Sequence, residues 1–146
     1  MVFKEQISRV RQVRQEFDKI VLEVLKTAEN EKFLVNLNRE QLHNGKKGDG
    51  SDILPGYADR TIERKRRDRQ PFDRVTLRDR GNLYEQFTVE FGSEEFTLSA
   101  DTEYTKYLLS RYGDDIFGLH DDSLEKLREK INPQIVEAVR KLLLNE

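Results

Sequence analysis

The feature that most constrains the fold is the apolar pattern of residues 4–29, a segment that contains neither glycine nor proline. Its apolar side chains recur at spacings of three and four, the period of one face of an α-helix. They begin just before the segment and are Phe3, Ile7, Val10, Val13, Phe17, Ile20, Val21, Val24, Leu25 and Ala28. The pattern predicts one long amphipathic helix of about 39 Å, at a rise of about 1.5 Å per residue.

A second amphipathic segment covers residues 122–144. Asp122 is followed three residues later by Glu125, the spacing of a capping box at a helix N-terminus. The apolar stripe consists of Leu124, Leu127, Ile131, Ile135, Ala138, Val139 and Leu142. Pro133 interrupts this stripe and leaves two interpretations open: one kinked helix, or a second helix capped by Asn132 with Pro133 at its first position.

Residues 75–99 carry a β pattern. Residues 83–91 alternate, with Phe87, Val89 and Phe91 on one side. A Gly-Ser turn follows at positions 92 and 93, and residues 94–99 alternate back. This arrangement predicts an antiparallel hairpin within a small sheet.

Three shorter elements complete the prediction. Residues 33–37 are apolar and are interpreted as a short strand, and residues 58–67 as a short polar helix. A further helix is predicted from residue 101 or 102 to about residue 110, with Tyr104, Tyr107 and Leu108 facing inward, ended by Gly113. The expected fold is therefore α+β, in a single domain of residues 1–146.

The composition limits the kinds of site and the compartment. Hydrophobic residues make up 36% of the chain and charged residues 37%, which favours either an elongated subunit that buries surface against partners or a small charged globule. The absence of cysteine excludes disulfides and thiolate metal sites. No apolar stretch approaches the roughly 18 residues of a membrane span, and no signal peptide is visible at the N-terminus. We expect synthesis in a cytoplasm and residence there or in a particle assembled there.

Residues 43–56 contain glycine at positions 45, 48 and 50 and are predicted to form a flexible, exposed loop. The order of residues does not fit a phosphate-binding loop, because no Gly-Lys-Ser/Thr follows a four-residue gap. It does not fit a calcium loop either, because the downstream glutamate is missing. His43 and His120 lie far apart, and no pair of acids stands out. We expect no catalytic residues, no metal and no cofactor.

The charge is unevenly distributed along the chain. Residues 57–80 hold nine basic and five acidic side chains, a net charge of +4, whereas residues 81–125 hold eleven acidic and two basic side chains, a net charge of −9. The densest basic stretch consists of Arg64, Lys65, Arg66, Arg67 and Arg69. Three interpretations stay open: a solvated helix face, a salt-bridged seam against the acidic region of a neighbouring copy, or a surface for DNA phosphates. A nucleic-acid-associated binding protein is the alternative function.

Residues 75–87 read VTLRDRGNLYEQF. This segment resembles the "leucine, two residues, glycine, x, leucine" motif that opens the hairpin of the virion-morphogenesis, or tail-completion, family of tailed-bacteriophage proteins, with Arg80 and Gln86 departing from that family's usual residues. Residues 115–124 (DIFGLHDDSL) are similar to the passage into its last helix. Upstream, residues 41–45, 55–57 and 61–62 look like the version found in phages of Bacteroidetes-type hosts.

This resemblance covers about residues 37–144 and implies a structural role. Such proteins form rings in the neck, between connector and tail tube, or complete a tail. It implies partners that are copies of the chain itself, portal or connector proteins or tail-tube proteins, with non-specific contact to passing DNA. The virion neck or tail is the implied location. Gly81 would serve a tight backbone turn before the hairpin.

Overall fold

A computed structural model describes residues 2–79 and 81–144, except for the side chains of Val2 and Phe3. Arg80, which belongs to the family-like motif, lies outside the described residues. The fold is α+β, as expected. Its elements are α1 (Val2–Leu25), α2 (Ala28–His43), α3 (Asp59–Arg67), α4 (Asn82–Glu85), β1 (Phe87–Phe91), β2 (Phe96–Ala100), α5 (Thr105–Tyr112), a 3-10 turn (Asp114–Ile116) and α6 (Asp121–Leu144).

The first helix is shorter than predicted, and the predicted strand at residues 33–37 is wrong. Thr27 has extended backbone angles, and its side-chain oxygen accepts a hydrogen bond of 3.3 Å from the backbone N–H of Asn30. Thr27 thereby caps a second helix, α2, that continues through residues 33–37. The apolar run reads as a strand because Leu34, Val35 and Leu37 all become buried where α2 crosses the core.

Helices α1 and α6 form an antiparallel pair, which we call the arm. Arg9 Nη1 near the start of α1 donates to the carbonyl of Leu143 near the end of α6 at 2.9 Å. At the other end, the side chain of Asn30 donates to Gln134 Oε1 at 2.7 Å. Pro133 lies inside α6, so the single bent helix is the correct alternative.

The start of α6 differs in detail from the predicted capping box. The helix begins at Asp121, and the ring nitrogen Nδ1 of His120 accepts from the backbone N–H of Asp122 at 3.1 Å. The carbonyl of His120 accepts from the N–H of Leu124. An imidazole nitrogen thus takes the capping place that the sequence pattern gave to the Asp122 carboxylate.

The hairpin is confirmed, but the β region begins at Phe87 rather than at residue 75. Strands β1 and β2 pair antiparallel, with Phe87 opposite Ala100 and Phe91 opposite Phe96. Residues 82–85 are helical because Gly81, at φ +86°, turns the chain into one helical turn that buries Leu83. The predicted turn at Gly81 is therefore confirmed, since this left-handed conformation favours glycine.

The core lies between α2, the hairpin and residues 116–123. Leu34, Leu42 and Ile116 have no exposed surface. Two buried amides of α2 bind the backbone that leads into α6: Asn38 donates to the carbonyl of Ile116 at 3.1 Å and accepts from the N–H of Gly118 at 3.0 Å. Gln41 accepts from His120 N and from Ser123 Oγ, both at 3.0 Å. These bonds fix the path of an otherwise irregular segment.

Helix α5 ends at Gly113 as predicted, at φ +94°, but its inward face differs. It starts at Thr105, where the side chain is bound by the backbone and hydroxyl of Thr102. Thr105 and Tyr112 are the buried residues, whereas Tyr107 is 64% exposed. The inward orientation predicted for Tyr107 is wrong, because the face of α5 that packs on the core contains Thr105 and Tyr112 and Tyr107 lies on the other side. Tyr104 is 36% exposed, and Leu108 is partly buried against the core as predicted.

Residues 44–56 form a loop, but the loop is not wholly exposed. Gly45 and Ile53 are buried, and Lys46 and Asp52 form an antiparallel β-bridge. The N–H of Lys47 donates to Ser51 O at 2.8 Å, and that of Gly48 donates to Asp115 O. The backbone of this segment is therefore tied both to itself and to the turn before α6, and its predicted flexibility stays a hypothesis.

Candidate functional site

The predicted basic residues lie on α3 and at its C-terminal end, and the structure separates them into different environments. Lys65 is only 2% exposed, so it does not belong to an outer basic face. Its ammonium donates to Arg78 O at 2.8 Å and to Gln70 Oε1 at 3.3 Å, and lies 4.9 Å from the centre of the Tyr57 ring. Lys65 thus joins α3 to the segment before α4.

The four arginines of the stretch are exposed. Arg64 pairs with Asp79 at 3.3 Å, Arg67 lies 3.8 Å from Asp68, and the guanidinium of Arg66 lies 4.7 Å from the centre of the Phe72 ring. Arg69 follows the helix at φ +57°. Much of the positive charge is therefore already engaged within the chain, although pairs this exposed contribute little to stability.

A cleft of about 320 Å³ opens between α3, α5 and residues 77–82. Tyr57, Tyr104 and Tyr112 give it an aromatic lining, and Arg64 and Arg78 stand at it with Asp79. Leu77, which also lines it, has φ +56°, a conformation uncommon for a residue other than glycine. The Arg64–Asp79 ion pair spans part of this cleft and neutralises part of its charge.

Behind this cleft, Thr76 is bound by two tyrosines. The hydroxyl of Tyr84 donates to Thr76 O at 2.6 Å, and the N–H of Thr76 donates to the hydroxyl of Tyr57 at 3.0 Å. Burial, reinforced by Tyr57, raises the pKa of the Tyr84 phenol well above its usual value. The pair is a structural clamp on the segment that leads to Gly81.

The feature that the sequence prediction missed is an apolar groove on one side of the arm. It has a volume of about 610 Å³ and is lined mainly by Phe17 of α1 and by apolar residues of α6. The lining residues are Phe17, Asn132, Ile135, Val136, Val139, Arg140, Leu143 and Leu144. Phe17 is 45% exposed and Val136 65% exposed.

The groove continues an exposed apolar strip along α1. In the part of the chain that the structure describes, the large exposed apolar residues of the arm are Ile7, Val10, Phe17, Val136 and Leu144. Arg14 lies four residues after Val10 and three before Phe17, so it shares their side of the helix. Arg140 lines the groove from α6. The result is an uncovered apolar surface with an arginine on each helix.

A signal for this groove was present in the sequence. The two longest apolar stripes continue to the outer ends of their helices, but each stripe is wider than the contact between two helices can cover. Periodicity alone does not show that α2, which begins at the base of the arm, leaves this side of the two helices uncovered.

Within residues 2–79 and 81–144, no group of three or more histidine, aspartate or glutamate side chains is placed to hold a metal ion. No helix in the same residues has the length and apolarity needed to cross a bilayer. Comparison of the chain with protein-family models, with curated proteins and with solved structures finds no match in any of the three.

Proposed function

We propose that this protein is a structural component of a tailed-bacteriophage virion, located in the neck or in a tail-completion ring. The proposal starts from the resemblance of residues 75–87 and 115–124 to the virion-morphogenesis family. These two segments flank the hairpin and lead into α6, and each contains a glycine at positive φ, Gly81 and Gly118. In this proposal the chain acts by binding neighbours, without catalysis.

The single observation that supports a binding role best is the uncovered apolar groove of the arm. A surface of Phe17, Val136 and Leu144 costs free energy while it faces water, and its burial against a neighbour is favourable by about 25 cal/mol per Å² of apolar area. An arm with one face free suits a subunit that meets its neighbours through repeated contacts. When such contacts are related by a rotation that closes, they form a ring.

The proposed location in the virion is tested by mass spectrometry of purified particles from the source that carries the gene. A ring component is expected at a few to about a dozen copies per particle, in keeping with closed cyclic symmetry. Absence from mature particles would contradict a virion role and leave only an assembly factor. Abundance equal to that of the major capsid protein would contradict the neck or tail-completion assignment.

A matched pair of variants tests the observation that supports the proposal. Val136→Asp places a carboxylate in the groove, and Leu54→Asp places one at a site outside the arm with the same 65% exposure. Both variants should fold, because both positions face solvent. We expect Val136→Asp to be lost from particles and Leu54→Asp to be incorporated. Normal incorporation of both variants would show that the groove makes no essential contact in the particle.

A further inference from the structure

The outer part of the arm carries a strong positive charge beside its apolar surface. Residues 4–15 and 137–144 together hold six basic side chains against two acidic ones, a net charge of +4. Arg140 lines the groove and lies 3.5 Å from Glu137, and Arg14 shares the side of α1 that carries Val10 and Phe17. A partner for this surface must therefore supply both apolar side chains and negative charge.

The same chain offers a surface of that kind at the start of α5. Residues 81–105 contain six acids and no lysine or arginine, and all six are exposed: Glu85, Glu90, Glu94, Glu95, Asp101 and Glu103. Next to Asp101 and Glu103 lie Tyr104 and Tyr107, which are 36% and 64% exposed. Lys106 contacts the Tyr107 ring and offsets only one of these charges. Exposed tyrosines beside acids are well suited to anchor in an apolar groove with a basic border.

We infer that the groove of the arm binds the acidic, tyrosine-bearing surface of residues 101–107 of a second copy of this chain. This inference rests on the proposed function, because it names the partner and the contact through which copies would assemble. The groove lining contains no residue of α5, so the contact joins two different surfaces. Each copy then has one arm and one acceptor surface to offer, and the contacts run head to tail.

Electrostatic repulsion favours this arrangement over a symmetric contact between two arms. If two arms met groove to groove, Arg14 and Arg140 would face the same basic borders of the other copy. Like charges brought together in an interface oppose association, whereas the head-to-tail contact places the net positive outer arm against Asp101 and Glu103. Because the two surfaces differ, association continues from copy to copy and ends in a closed ring or an open filament.

Sedimentation velocity of the purified full chain at increasing concentration tests this inference. Wild type should self-associate, and both Arg14→Glu/Arg140→Glu and Asp101→Lys/Glu103→Lys should weaken that association by more than about tenfold, since each brings like charges together. Mixing the two reversed proteins should restore assembly, because every contact then pairs opposite charges. Circular dichroism checks that each variant is folded. A strictly monomeric wild type, or a mixture that stays dissociated, would overturn the inference.

Site-specific cross-linking gives a second, independent readout, and the chain contains no cysteine of its own. We expect Val136→Cys to form a mixed disulfide with Tyr107→Cys when the two proteins are oxidised together, while Leu54→Cys remains uncoupled from either. A dominant homodimer of Val136→Cys would show an arm-to-arm contact and reject the head-to-tail arrangement. These tests use the isolated protein and examine only the contact between copies. The presence of the protein in particles is measured separately, so either hypothesis can be contradicted without the other.

Discussion

The ammonium of Lys65 donates a hydrogen bond of 2.8 Å to the carbonyl oxygen of Arg78, and this bond ties the last turn of α3 to the segment that precedes the hairpin. Lys65 lies in the most basic part of the sequence, but it is buried. Its long side chain places the ammonium beside the ring of Tyr57. The charge therefore interacts with groups of the same chain and is not exposed to a partner.

Replacement of Lys65 by methionine should destabilise the fold while keeping most of the side-chain volume. The carbonyl of Arg78 would lose a charged donor, and a hydrogen bond to a charged group contributes about 1.5–3 kcal/mol to stability. We expect a lower urea midpoint for Lys65→Met. Arg67→Met, at an exposed position on the same helix, should stay within about 0.5 kcal/mol of wild type. Equal stability of both variants would mean that Lys65 is not a structural residue.

The sequence predicts the parts of this fold whose apolar period is long and regular. Both arm helices and the hairpin follow from spacing, and α3 was predicted as a short polar helix, whereas the break at Lys26 and Thr27 does not follow from the pattern. That break contains no glycine or proline, and a Thr cap within a continuous apolar period is a weak signal. Residues 33–37 were misread because a buried helix and a buried strand give the same short apolar run.

Replacement of Gly48 by alanine tests whether the loop at residues 44–56 is a built element. A Cβ at Gly48 would lie 3.1 Å from Asp115 O and 3.3 Å from backbone atoms of residues 117 and 118. Backbone must shift to admit it, so Gly48→Ala should lower the free energy of unfolding by about 1–3 kcal/mol. Gly56→Ala is the control, because a Cβ there meets nothing within 4 Å and φ needs no glycine.

Hydrogen exchange distinguishes an ordered loop from a flexible one in the free subunit. The amides of Lys47, Gly48 and Ile53 donate to Ser51, Asp115 and Gly45 respectively, so we expect slow exchange at these three positions. The amide of Asp49, at the exposed tip, is the internal comparison. Fast exchange throughout residues 44–56 would instead support the flexible loop that the glycine content predicted. Such a loop would become ordered only in contact with neighbouring proteins.

Tyr84 should make the stability of the protein sensitive to alkaline pH. Burial raises the pKa of its phenol in the folded state above the value of about 10 in the unfolded chain. Its neutral form therefore contributes stability that is complete below about pH 10 and is lost progressively as the pH rises above that value. Tyr84→Phe removes the titrating group and should show a shallower fall in unfolding free energy over this alkaline range.

The exposed Tyr107 supplies the control for that experiment. Tyr107→Phe makes the same substitution at a side chain that is 64% exposed, so it shows the effect of removing a hydroxyl that lies outside the core. Tyr84→Phe should also be less stable at neutral pH, where Thr76 O loses its donor. Parallel alkaline slopes for wild type and Tyr84→Phe would contradict the assigned pKa shift.

The candidate site could be predicted only in part. The dense arginines of α3 are visible in the sequence. The sequence does not reveal that Asp79, fifteen residues further along the chain, pairs with Arg64, or that Lys65 is buried. The groove of the arm depends on how α1 and α6 pack together, and no residue of α2 lines it. Such three-dimensional cover is a property of packing between elements, and hydrophobic period does not encode it.

Charge reversal of α3 tests whether its exposed arginines form a second seam with a neighbouring copy. The acids of residues 114–125 stay available to them when residues 101–107 bind the arm. Arg64→Glu/Arg66→Glu/Arg67→Glu should leave the subunit folded, because the exposed pairs it removes are worth only about 0.2–1 kcal/mol each. It should block incorporation into particles, with an effect that depends on salt. The control carries the same charge change at exposed basic positions elsewhere, Lys19, Lys26 and Lys32. If the triple variant assembles normally but the particles package or eject DNA poorly, the arginines face the DNA channel and the seam is wrong.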